Sequence, residues 1–160
     1  MGAHHYKIEV IPRSMDCIVD AKRLKIGEYW GTEQPPDALL HELRSFLPRN
    51  TSWGGCEEFD SGNDWGSDIR IWHEDDYSSP IFAVGFRLMF GADGMVLLNR
   101  FLDLIRKYGL LLYTEQSQKI LHPEIYEVLE DFKQSTAFTF LSDPHEAILE
   151  ATNKIETKNN

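Results

Sequence analysis

The chain has 160 residues, 42% hydrophobic and 26% charged, which suits one domain that buries its core without disulfides or metals. Its 26 acidic and 16 basic residues give a formal net charge of −10 at pH 7, a balance that repels phosphate backbones and anionic membranes and so argues against nucleic-acid and membrane partners. Two cysteines, Cys17 and Cys56, lack metal-knuckle spacing, the N-terminus lacks an apolar leader, and no run of about 18 apolar residues occurs, so a reduced cytoplasmic protein without cofactors is expected.

In chain order, Tyr6, Ile8 and Val10 alternate with Lys7 and Glu9, which predicts a strand with one buried face. The Ser14–Gln34 stretch is weakly patterned, with short strands expected around Cys17–Val19 and Ile26–Trp30. Pro35-Pro36-Asp37 opens a helix carrying Leu39, Leu40, Leu43, Phe46 and Leu47, and Pro48 stops it. Residues 50–68 are rich in Gly, Ser and Asp and read as loops or a bulged hairpin. Ile69, Ile71 and His73 alternate with Arg70, Trp72 and Glu74 as a strand. In the next strand Phe82, Val84, Phe86, Leu88 and Phe90 take one face and Ile81, Ala83, Gly85, Arg87 and Met89 the other, a pattern apolar enough for the sheet interior.

Asp93 is placed to cap the longest helix, whose inward stripe is Leu98, Phe101, Leu102 and Ile105. Leu110–Thr114 reads as a strand, Lys119–Leu121 as its hairpin partner, and His122-Pro123-Glu124 as the start of a helix with Ile125, Val128, Leu129 and Phe132 inward. Ala137–Leu141 reads as one more strand, and Asp143-Pro144-His145-Glu146 as a capping box before a last helix. The expected fold is α+β, a single domain over residues 1–152 with a frayed polar tail at 153–160. Its core would be a ferredoxin-like βαββαβ unit, an antiparallel sheet with helices on one face and extra C-terminal helices.

The segment Glu57–Asp76 concentrates acids, Glu57, Glu58, Asp60, Asp64, Asp68, Glu74, Asp75 and Asp76, around a lone Arg70, with Trp53, Trp65 and Trp72 in or beside it. Aromatic anchors among acids suit a surface for a cationic protein partner, and the same residues suit a solvated loop with its Trp side chains tucked inward. The acids do not follow the calcium-loop pattern, since Gly62 and Trp65 fall where an acid and a glycine belong, so no metal is expected. Cys56 with His73 would make a thiol nucleophile and base only if the fold joins them, and no flanking motif supports catalysis. Arg87, in the most apolar strand, needs a carboxylate partner if covered, and Asp68, His73 and Arg87 form an alternative ligand site if the face is open.

From Phe82 onward, the apolar strand with Arg87, the long helix, the Leu-rich strand, the turn Glu115-Gln116-Ser117-Gln118, Pro123 and the closing Asp143-Pro144 resemble small bacterial proteins. Some of those are similar to immunity proteins of polymorphic or contact-dependent toxin systems. That resemblance implies a non-enzymatic inhibitor that binds a basic toxin domain, steered by Glu57, Glu58, Asp60, Asp64, Asp68, Asp75 and Asp76 and anchored by Trp53 and Trp65. A small-molecule-binding domain or enzyme on the same sheet is the competing expectation, and self-association through an unpaired sheet edge is a third.

Overall fold

The structure, a computed structural model, describes residues 5–17, 29–31, 33–50, 52–62 and 66–143. Six strands form one sheet: β1 (Tyr6–Ile11), β2 (Cys56–Asp60), β3 (Asp68–His73), β4 (Ile81–Leu88), β5 (Leu111–Thr114) and β6 (Lys119–Leu121). Their order is β2-β3-β4-β1-β5-β6, and every neighbouring pair is antiparallel. The helices are α1 (Asp37–Arg44), α2 (Ala92–Lys107), α3 (Ile125–Lys133) and α4 (Thr136–Ser142), and a short 3-10 helix spans Arg13–Cys17.

The protein is therefore α+β with an antiparallel sheet, but its strand order is not a plain βαββαβ. Three strands, β2, β3 and β4, separate α1 from α2. Strands β4 and β5 both run antiparallel to β1, so they are parallel to each other, with α2 crossing between them and β1 inserted in the gap. Placing β4 beside β1 lets the most apolar strand sit inside the sheet, where both its edges are paired.

One face of the sheet carries most of the core, while Ile11, Leu111 and Tyr113 are buried on the other, where Tyr29 packs on Tyr113. Tyr6, Ile8 and Val10 of β1, Ile69 and Ile71 of β3, and Val84, Phe86 and Leu88 of β4 are all buried on the main core face. The amphipathic helices close over this face. Phe101 of α2 stacks on Phe86 with ring centroids 4.4 Å apart. Phe132 of α3 meets the edge of Tyr6 at 5.5 Å, and the Tyr6 hydroxyl donates to Asp131 Oδ2 at 2.6 Å. Helix α1 buries Leu39, Leu40 and Leu43, while Phe46 and Leu47 follow its C-terminus and are partly buried against the core.

Several local expectations change. Gly91, not Asp93, stands at the N-cap of α2, and Asp93 lies in the first turn, where an acid favours the helix dipole. Gly94 is there because a Cβ would fall 2.0 Å from the Met89 carbonyl oxygen. The stretch read as a strand over Ala137–Leu141 is helix α4, started by Ser135, whose hydroxyl accepts from the Phe138 N–H at 3.2 Å. A register shift between Trp72 and His73 leaves Phe82 as an extra residue in β4, and its ring packs beside Trp72 at 6.3 Å instead of facing the core with Val84. Tyr29 and Trp30 form a turn rather than a strand, the pieces at 18–28 lie outside the described residues, and so do the capping box beyond Asp143 and the tail.

Two devices finish the sheet. The Gln34 side-chain amide donates to the Ile81 carbonyl at 3.0 Å and accepts from the Ile81 N–H at 2.8 Å, standing in for a missing strand partner at the start of β4. Residues 48–50 lie along the outer edge of β2, with Asn50 N–H on the Glu58 carbonyl at 2.9 Å and Asp60 N–H on the Pro48 carbonyl at 3.0 Å.

Candidate functional site

The one-residue alternation of β2 divides the acidic segment between the two faces of the sheet. Glu57 points to the helix side and is 5% exposed. It accepts from Arg44 Nε at 3.0 Å and Nη2 at 2.6 Å, and its Oε1 lies 2.8 Å from His73 Nε2. The other His73 nitrogen, Nδ1, is 2.9 Å from the Ser79 carbonyl, so both ring nitrogens face acceptors. Burial opposes ionisation of Glu57, but the hydrogen bonds from Arg44 and His73 outweigh it and hold the carboxyl below its ordinary range.

Glu58, Asp60 and Asp68 share the opposite face. Asp68 is buried, with Arg87 bonded to its Oδ2 through Nε at 2.6 Å and through Nη2, and with Arg70 Nε 3.2 Å from Oδ1. Glu58 meets Arg70 at 3.3 Å. Asp60 accepts from the Gly62 N–H at 2.7 Å and from Asn50, and so fixes the turn leaving β2. Of the alternative ligand site, the structure joins Asp68 to Arg87 but sends His73 to the other face with Glu57. Cys56 is a buried free cysteine whose thiol is pushed up to about 11 by burial, so it is held as the unreactive thiol, and the His73 ring is taken by Glu57 and Ser79.

Among the described residues of this segment, the acids that remain exposed gather at one end of β3. Glu74, Asp75 and Asp76 lie in the turn to β4. Asp76 bonds the Ser78 hydroxyl at 2.6 Å and the Ser78 N–H at 2.8 Å, and these bonds hold its carboxyl below its ordinary range. Trp53 is 54% exposed and Tyr77 46% exposed. The Trp53 ring stands edge-on to Trp72 at 5.2 Å, Tyr77 packs edge-on to His73 at 5.9 Å, and Arg49 lies 5.7 Å from the Tyr77 ring centre. The two turns abut, since a Cβ on Gly55 would lie 3.1 Å from the Asp75 carbonyl oxygen. Trp53, Asp75 and Asp76 thus share a surface, whereas Asp64 and Trp65 lie outside the described residues. Tyr77 is absent from the residues expected at this surface, and its one signal in the sequence is a large aromatic in a turn otherwise made of Asp, Ser and Pro.

Among the described residues, no group of three or more His, Cys, Asp or Glu side chains is arranged to hold a metal ion, and no helix is long and apolar enough to cross a membrane. Compared with protein-family models, curated proteins and solved structures, the chain has no significant match to any of the three.

Proposed function

We propose that this protein is a non-enzymatic binding protein that docks a basic protein partner in the cytoplasm through the surface built by Trp53, Tyr77, Glu74, Asp75 and Asp76. An inhibitor of a basic toxin domain is the particular form that the immunity-protein resemblance implies. The observation that carries this reading is Trp53, a large ring that presents more than half its surface to solvent while Trp72 braces its edge. A ring held in place before binding loses little freedom on contact, and such residues dominate interface energetics. The acids beside it supply steering toward a cationic partner, reinforced by the net charge of −10.

The buried carboxylates Glu57 and Asp68 serve this surface indirectly, by anchoring the strands that present it. The test is capture from host extract with four baits: wild type, Trp53→Ala, Glu74→Lys with Asp75→Lys, and a charge-matched control with Glu127→Lys and Glu130→Lys on α3. The reading expects one basic protein on wild type and control, released by salt and lost from the other two. Equal recovery on all four baits overturns it.

A further inference from the structure

The sheet face opposite the helices contains a cavity whose origin is visible in the register. Glu9 of β1, Gly85 of β4 and Arg70 of β3 face one another in a single row across adjacent strands. Strands lie about 4.8 Å apart, so the two long side chains flank a gap of about 10 Å floored by a residue without a side chain. The neighbouring row pairs Trp72 with Ala83, another small residue. The result is a cavity of about 290 Å³, with Gly85 and Ala83 as floor, Trp72 and Phe82 as an aromatic wall, and Lys7, Glu9, Arg70 and Arg87 as its polar groups.

Those polar groups are unevenly matched. Arg70 turns to Glu58 and Asp68, and Arg87 to Asp68. Glu9 is left over: its Oε2 is out of solvent contact and has no hydrogen-bond partner. The carboxylate leans across Gly85, where a Cβ would sit 3.1 Å from Oε1. Buried polar atoms are almost always satisfied, and a glycine inside a strand often marks the close approach of another group. Glu58 and Asp68, outside the cavity, neutralise Arg70 and Arg87, which leaves Lys7 facing Glu9, with Glu115 also acting on Glu9, so no strong charge of one sign lines the cavity and a neutral occupant is favoured.

We propose that this cavity binds a neutral, planar nitrogen heterocycle of the nucleobase kind. Its N–H edge would meet Glu9, its carbonyl edge would meet the unused N–H groups of Arg87 and Arg70, and its face would lie on Trp72. A lactam ring supplies adjacent donors for a carboxylate and an acceptor for a guanidinium in one plane. A nucleic acid is a different matter, because its phosphates meet the net charge of −10. Burial pushes the Glu9 carboxyl up to about 7, so a ligand that donates two N–H bonds should bind more tightly as pH rises through that value.

The test is titration with guanosine at up to about 1 mM, followed by Trp fluorescence and by calorimetry, against caffeine, a planar heterocycle with no N–H donor. The expected result is saturable binding of guanosine alone, weakened at least about tenfold by Glu9→Gln, which keeps the shape of the side chain and replaces an acceptor oxygen with a donor. Gly85→Ala gives a second readout, since its Cβ displaces the carboxylate, and it should weaken binding to the same degree. Thermal melting of both variants confirms that they remain folded. The proposal is overturned if wild type does not saturate with guanosine, if caffeine binds equally, or if both variants bind as wild type does.

Discussion

Replacing Glu9 by Gln should stabilise the protein at neutral and alkaline pH, because the fold holds this carboxyl where its ionised form is poorly served. Its carboxyl is raised from 4.5 to about 7, with burial the largest cause, Lys7 partly offsetting it and Glu115 adding to it. Between those two values the unfolded chain has released the proton while the folded chain retains it. The folded state then binds more protons, so stability declines as pH rises through this window and levels off above it. A difference of about 2.5 pH units at about 1.4 kcal/mol each sets a ceiling of about 3.5 kcal/mol, with water entering the cavity reducing it. Gln removes the charge and keeps the shape. Urea unfolding of both proteins from about pH 4 to about pH 8 should show near-equal stability at the acid end and a growing advantage for Glu9→Gln, up to about 3.5 kcal/mol, at the alkaline end. A difference that does not vary with pH, or a variant that is weaker at the alkaline end, would refute the reasoning.

Glu57→Ala should destabilise by about 3 kcal/mol at neutral pH, because it leaves buried His73 and the Arg44 guanidinium without their shared acceptor. Since the folded Glu57 carboxyl is held below its ordinary range, its contribution is present above that range and lost on acidification, so the gap to wild type should narrow in acid urea titrations. Gln34→Leu strips the Ile81 N–H and carbonyl of their partner and should cost about 2 kcal/mol in the same assay, with the far-ultraviolet spectrum retained. Gly94→Ala forces a Cβ against the Met89 carbonyl and should lower stability by about 3 kcal/mol despite alanine's better helix propensity, a sign that calorimetric melting reads directly.

The sheet was legible where apolar alternation was long. In β4, Val84, Phe86 and Leu88 repeat with period two and take the core face as expected. The alternation cannot report an inserted residue, so Phe82 was assigned to the wrong side of the bulge. Helix α4 is hidden in the sequence because alanine, threonine and leucine alternate with phenylalanine, and the signal that decides for a helix is Ser135 as its cap. In the acidic segment, composition suggested a solvated stretch, whereas Glu57 and Asp68 are strand residues whose partners Arg44 and Arg87 stand 13 and 19 positions away. Opposite faces for Glu57 and Glu58 follow once β2 is a strand, but a segment rich in Gly, Ser and Asp reads equally as loops or as a bulged hairpin, and neither reading sets the alternation. Glu9 passed as an ordinary outward acid, because its isolation depends on Gly85 standing opposite, which only the pairing of β1 with β4 reveals.

The short run of backbone laid along β2 has a consequence for how copies of this protein meet. A sheet whose outermost strand is bare offers its neighbour a template, and identical chains can then zip together without limit. Here the outward-facing Glu58 carbonyl and Asp60 N–H are already engaged by Asn50 and Pro48, so that side is spent within the chain. The opposite margin, β6, has three residues, so an added strand would gain only about 10 Å of ladder. Growth of the sheet from chain to chain is thus blocked at one margin and poorly rewarded at the other. A chain with four tryptophans and nine phenylalanines in a broad antiparallel sheet has in this way a built-in restraint on filament formation.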